Sequence, residues 1–130
     1  MFTLSQIKEA HAKVKSGADF PKYVQELSAL GILVYTTYVS DGHTEYIGTD
    51  SHTLTSEAKY TTLAIASESN AEAFKNHLKS HQQGQTDYPT FCKQAAETGT
   101  QKWVVDVVNM TCTYYDTQAH VMLVEVIPGV

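Results

Sequence analysis

Not one of the 130 residues is arginine; all nine basic residues are lysine, set against fourteen acidic ones for a formal net charge of −5. Arginine supplies the planar fork that grips phosphate and base edges, so a chain with neither arginine nor a basic stripe is not expected to bind nucleic acid or to clamp phosphate. Cysteine is almost as scarce. Cys92 and Cys112 stand in a chain whose start, Met1-Phe2-Thr3-Leu4-Ser5-Gln6-Ile7-Lys8, has neither the basic opening nor the apolar stretch of an export signal, so they read as reduced thiols rather than a disulfide. Asn109-Met110-Thr111 matches a glycosylation acceptor, but without that signal the match is read as chance. No apolar run approaches the roughly 20 residues of a membrane span. The expectation is a cytoplasmic chain without membrane contact. With 42% hydrophobic and 18% charged residues, 1–130 reads as a single domain, long enough to bury most of the surface its unfolded form would expose.

What is there is a pattern that occurs twice. Asp19-Phe20-Pro21-Lys22-Tyr23 and Asp87-Tyr88-Pro89-Thr90-Phe91 are both Asp-aromatic-Pro-x-aromatic, 68 residues apart, each followed by a glycine twelve residues after its Asp, Gly31 and Gly99. At the same offset come Val39/Val107, Tyr46/Tyr114, Thr49/Thr117, His52/His120 and Glu57/Glu125, with Tyr35 opposite Trp103. From 19 to 57 that is eight identities in 39 positions, where unrelated segments give roughly two or three. The chain therefore reads as a diverged tandem repeat with halves of roughly 1–66 and 67–130.

Thr3-Leu4-Ser5-Gln6 is a capping box, and Leu4, Ile7, Ala10, His11 and Val14 share one face of the helix it starts, which Gly17 is expected to end. Asp19 is expected to cap a second helix with Pro21 in its first turn and Phe20, Tyr23, Val24, Leu27 and Leu30 on its buried face. In the second half Asn70 opens a helix through Ala71, Phe74, His77, Leu78 and His81 that ends at Gly84, and Asp87 opens the next, with Tyr88, Phe91, Cys92 and Ala95 inward. After each glycine the period changes to that of a strand, over 32–39 and from Trp103 onward. Asp41-Gly42 signals a hairpin into 43–47, whereas the repeat alignment places a turn at Gly48-Thr49-Asp50, opposite Asp116-Thr117-Gln118; the first position is favoured. Further strands are expected over 59–66 and 120–127, before Pro128. The fold class is α+β: a mostly antiparallel five-stranded sheet with four helices on one face, built from two helix-helix-hairpin units.

The Asp19 to Val24 segment followed by Gly31, Asp41-Gly42-His43-Thr44-Glu45-Tyr46, Tyr88 to Cys92, and Trp103-Val104-Val105-Asp106 through Met110 to Asp116 resemble a family of small uncharacterised bacterial proteins often labelled "phage envelope protein". The resemblance covers nearly the whole chain and is most specific in the C-terminal tail. It implies a prophage-linked ancestry, and it brings no catalytic residues with it.

For chemistry, His77 and His81 stand four apart on a helix, a metal-ligand spacing, but with no acidic partner in register they read as a packed or solvated face. His11 reads as a core-edge histidine, Cys92 as a small hydrophobe on a buried helix face, and Cys112 as a strand residue of undetermined side. No catalytic, cofactor or metal residue is assigned. Asp106 is the exception to a bland reading: it interrupts Val104-Val105 and Val107-Val108, and a carboxylate on an apolar face must be paired. Tyr114, Tyr115 and Asp116 close what reads as the same strand, with His120 across the turn. Asp106, Tyr114, Tyr115 and His120 are therefore the candidate ligand-facing residues, against the alternative of an Asp-held turn with aromatic cross-strand packing. Three functions stay open: a non-catalytic binding or interaction module, self-associating (a homodimer) or taking a protein or small molecule; a small-metabolite enzyme using the Tyr/Asp/His cluster; and a phage-derived structural component.

Overall fold

The computed structural model describes residues 2–14 and 19–127; the expected stops at Gly17 and Pro128 lie outside them. The order of elements is α1 (Leu4–His11), α2 (Phe20–Ala29), β1 (Ile32–Tyr38), β2 (Thr44–Gly48), a single 3-10 turn (Thr49–Ser51), β3 (Thr53–Thr55), α3 (Ala71–Gln82), α4 (Tyr88–Glu97), β4 (Thr100–Asp106), β5 (Thr111–Asp116) and β6 (Val121–Val126). Helix starts follow side-chain chemistry. Thr3 Oγ1 accepts from the Gln6 amide at 3.2 Å while Gln6 Oε1 accepts from the Thr3 amide at 2.9 Å, and Asn70 and Asp87 accept from the Ala73 and Thr90 amides at 3.0 and 2.9 Å. Asp19 differs: it holds helical backbone angles and makes no side-chain cap bond to α2. There Pro21 in the first turn supplies the start, since its ring presets φ and it has no N–H to satisfy.

The strands form one antiparallel sheet in the order β3-β2-β1-β4-β5-β6. It has six strands, not the expected five. Beside the short β3 (Thr53–Thr55), which pairs with β2 where no strand is expected, two changes account for this. Residues 59–66 are not a strand: they form a strap at the end of the sheet, with the Lys59 and Leu63 amides donating to the Asp41 and Ser40 carbonyls at 2.7 and 2.6 Å and the Ala66 amide to Ala96 at 2.9 Å. Apolar residues there satisfy packing rather than a ladder. The second change is that 103–116 is broken by a turn at Met110 (φ 56), which yields β4 and β5. The two hairpin readings over 39–55 were not exclusive, because the chain turns at Asp41-Gly42 and again at Thr49–Ser51.

Side-chain alternation gives the sheet two different faces. Tyr35, Tyr46, Val105, Cys112, Tyr114 and Met122 are buried in one core with Ile7 of α1, Val24 and Leu27 of α2, Phe74 and Leu78 of α3 and Phe91 and Ala95 of α4. The alternate positions, Val34, Thr36, Tyr38, Val104, Thr113 and Tyr115, are partly exposed and belong to no core cluster. All four helices therefore lie on one face.

Positions 68 apart do the same geometrical work. Gly31 and Gly99 are both left-handed, at φ 92 and 83; bulges fall at Ile32/Val34 and Thr100/Lys102; and Tyr35 pairs with Tyr46 as Trp103 pairs with Tyr114. In the centre Thr36 lies opposite Val104, its own counterpart. The Val39 amide donates to Gln101 and the Val107 amide to Leu33, both at 2.9 Å.

Gly99 permits the close approach of the 68–69 backbone. A Cβ there would lie 2.6 Å from the Glu68 carbonyl oxygen and 2.7 Å from the Ser69 Cα, whereas one on left-handed Gly84 would meet nothing within 4 Å. Gly84→Ala should therefore cost only the left-handed penalty of about 1–2 kcal/mol, and Gly99→Ala at least about 3 kcal/mol, because backbone must also move. Urea melts of the two variants check this; equal losses would remove the packing argument.

Candidate functional site

The four candidate residues are not neighbours. Asp106 lies opposite Thr111 at one end of the β4–β5 hairpin and Asp116 opposite Thr100 at the other, about 20 Å away at strand rise. Asp106 is paired by its own turn: Oδ1 accepts from the Val108 and Asn109 amides at 3.1 and 2.9 Å, and Oδ2 from Asn109 Nδ2 at 2.8 Å. These bonds, those from Asn109 above all, hold its carboxyl below the ordinary range. Tyr114 points to the helices, its ring 4.9 Å from Phe74 and 5.9 Å from Trp103, and its hydroxyl donates to Glu125 at 3.4 Å. Tyr115 is on the opposite face beneath Lys102, whose Nζ is 5.6 Å from the ring centre. His120 is exposed at a turn held by Asp116, whose Oδ1 accepts from the Gln118 and His120 amides at 2.9 Å each. Asp41 does the same at the β1–β2 turn, accepting from the His43 amide at 3.0 Å. These carboxylates act as turn locks, since a short acceptor satisfies amides that the reversing chain leaves free.

Four of the histidines lie against aromatic rings, His52 edge-on to Phe2 at 4.5 Å among them. His11 lies edge-on to Tyr23 at 5.4 Å, and burial lowers its pKa. His81 stacks on Phe91 at 4.6 Å with Nδ1 3.0 Å from the Thr86 carbonyl. His43 stacks on Tyr38 at 4.5 Å, with Nδ1 2.5 Å from Asp41 Oδ1.

A convergence of neutral groups does occur, between the sheet, α2, α4 and the strap. Cys92, 1% exposed, lies close to Tyr60 and Tyr88. Tyr46 lies likewise between Tyr23 and Thr44, and Thr44 Oγ1 is 3.0 Å from Thr37 Oγ1. Tyr60 is fixed by donating to the Val39 carbonyl at 2.5 Å. Glycine at 42 makes room for it, since a Cβ there would lie 2.7 Å from the Tyr60 ring. Burial raises the pKa of Tyr23, Tyr46 and Tyr60, and of the Cys92 thiol; the buried Cys112 is pushed up to about 12. At neutral pH this wall offers hydrogen bonds without charge, and its thiols are poor nucleophiles. Beside it, Tyr60, Thr61, Leu63, Pro89, Cys92 and Lys93 line a cleft of about 240 Å³. Sequence reasoning missed this site because it took 59–66 for a strand; at the offset of 68 these residues fall opposite 127–130 and beyond, where there are no matched positions.

The chain matches a family over residues 8–126. It belongs to DUF1398, proteins of unknown function. No curated protein matches it. In this DUF1398 chain no described helix is long and apolar enough to cross a membrane, and the family's description attaches no phage role to it.

Two outcomes follow from the geometry. Asp106→Asn keeps an acceptor for both amides and loses the charge, so it should cost about 1 kcal/mol after solvent screening. A depressed folded pKa means that this stability is complete above the unfolded value of about 3.9 and is lost as pH falls through the folded pKa. The wild-type and variant melting curves should therefore converge below about pH 4; a gap that persists at pH 2 would contradict the charge-assisted lock. Cys92→Val should cost less than about 1.5 kcal/mol as a volume-conserving swap, and a thiol reagent should modify the native protein only on the timescale of its opening. Rapid labelling of Cys92 in the native state would count against its burial.

Proposed function

We propose that this chain is a non-catalytic interaction module that self-associates through the open face of its sheet. The observation that carries this is the composition of that face. Across the strands it presents Ile47 and Val34, then Val104 and Val124, then Tyr38, Tyr115 and Val121, with Val126 at the edge. Ile47, Val121, Val124 and Val126 are 40, 56, 54 and 78% exposed. An antiparallel sheet with one solvated face ordinarily alternates apolar-in and polar-out. Here both sets are rich in β-branched and aromatic residues, as in a layer packed against a second sheet.

The occupant this face suits is a second copy. Its charges, Glu45, Lys102 and Asp106, are few and of both signs, so nothing selects a strongly basic or acidic partner, and the threonines between the valines match themselves across a two-fold axis. The interior site favours recognition over catalysis, because its titratable groups stay protonated at neutral pH. The matched positions 68 apart support an origin of the two halves by duplication. Cytoplasmic location fits the reduced thiols.

Sedimentation velocity on the full chain at about 100 µM tests this, a concentration at which a modest interface is populated. The wild type should sediment as a dimer and Val124→Lys as a monomer, with a folding cost within about 0.5 kcal/mol because the site is exposed. A monomeric wild type, or a variant that remains dimeric, rejects the sheet-face interface.

A further inference from the structure

We propose that the cleft between the strap and the start of α4 binds a small ligand with an apolar body and one anionic group, of the size of an aromatic or medium-chain carboxylate. The strap is fastened at Asp41, Ser40 and Ala96 by the backbone bonds of Lys59, Leu63 and Ala66. Between these points it stands over one face of α4, where Pro89, Cys92 and Lys93 follow at helical spacing. Proline and cysteine are short, so the space beneath Leu63 is left unfilled. The result is a cleft of about 240 Å³, against roughly 150 Å³ for an apolar cavity that accepts benzene; a ring and a short head group fit.

Its lining is sorted by chemistry. The half-buried Tyr60 and Leu63 and the buried Cys92 form an apolar floor, while Pro89, Thr61 and Lys93 are exposed at the rim. Lys93 is the one cation among the lining residues and no carboxylate lines the cleft. Asp87, which Lys93 stabilises as an anion, has its carboxylate already held by the Thr90 amide at 2.9 Å. In a chain of net charge −5, an ammonium above an apolar cleft selects an anion whose remainder prefers to leave water. The Tyr60 hydroxyl is committed to Val39, which leaves Thr61 to hydrogen-bond the head group.

This site is separate from the open sheet face, and the two readings fail separately. The test is a ¹H–¹⁵N titration of the full chain with sodium benzoate, benzyl alcohol and benzylamine. A ligand of about nine heavy atoms should bind at about millimolar Kd, and benzoate should shift the amides of residues 60–63 and 92–93. Lys93→Gln should weaken benzoate about fivefold or more and leave benzyl alcohol within about twofold, the signature of a charge contact on an apolar site. Thr61→Trp, at an exposed position, should fill the cleft and abolish both, with its spectrum elsewhere unchanged. Val124→Lys should bind benzoate as the wild type does. The proposal is overturned if benzoate produces no shifts, if benzylamine binds as well as benzoate, if Thr61→Trp leaves benzoate binding intact, or if Val124→Lys loses it.

Discussion

The pairing of β1 with β4 is the constraint on which the rest depends. It is the one ladder that joins the first half of the chain to the second, and its register, Thr36 opposite Val104 and Tyr35 opposite Val105, decides which side chains face the helices. A slip of one residue would turn Tyr35 and Val105 out to water and bring Thr36 and Val104 in. The amides of Val39 and Val107 close the ladder at both ends with matched bonds to Gln101 and Leu33. Each hairpin then extends the sheet outward from this pair, and each helix pair covers its own half. Long-range strand pairing of this kind is entropically costly to form, so the fully buried Val105 within the ladder and Val39 at its end are the natural places for that cost to be offset.

How much of this was legible in the sequence follows from where the local signals were sufficient. The capping box at Thr3 and the caps at Asn70 and Asp87 are local, because a side-chain oxygen three residues before an amide needs no tertiary help, and the structure keeps them. The left-handed turns at Gly42 and Gly99 were legible for the same reason. Met110 was not. Its φ of 56 is imposed by context, with Asp106 locking the amides before it and the Ile127 amide donating to its carbonyl at 2.7 Å, so no Gly or Pro marks the break between β4 and β5. Its alignment with Gly42 at the 68-residue offset did mark it, and the strand-like run of valines outweighed that signal.

The candidate site was less legible than the fold, and the reason is physical. Asp106 on an apolar strand face looked like a buried charge needing a partner, and it has one three residues away, which periodicity alone does not reveal. The cleft beside Cys92 depends on residues 60–63 of an irregular strap brought against α4, a long-range contact with no repeat signature. Tyr60 falls within the expected 59–66 strand, while its hydroxyl donates to the carbonyl of Val39 at the end of the sheet.

These placements divide the chemistry of the molecule in two. Carboxylates at Asp41, Asp106 and Asp116 sit at the sheet's ends, spent on backbone amides that would otherwise be unsatisfied where the chain reverses. The hydroxyls of Tyr23 and Tyr46 and the Cys92 thiol sit inside, where burial holds their protons on. An acid/base reaction needs a group that exchanges its proton near neutral pH in a place substrate can reach. The surface groups of the first set are committed and the interior groups of the second are too basic to ionise, so what the wall beside the cleft offers an incoming molecule is shape, apolar area and neutral hydrogen bonds. An ionised side chain in place of Cys92 would be stranded among these protonated phenols.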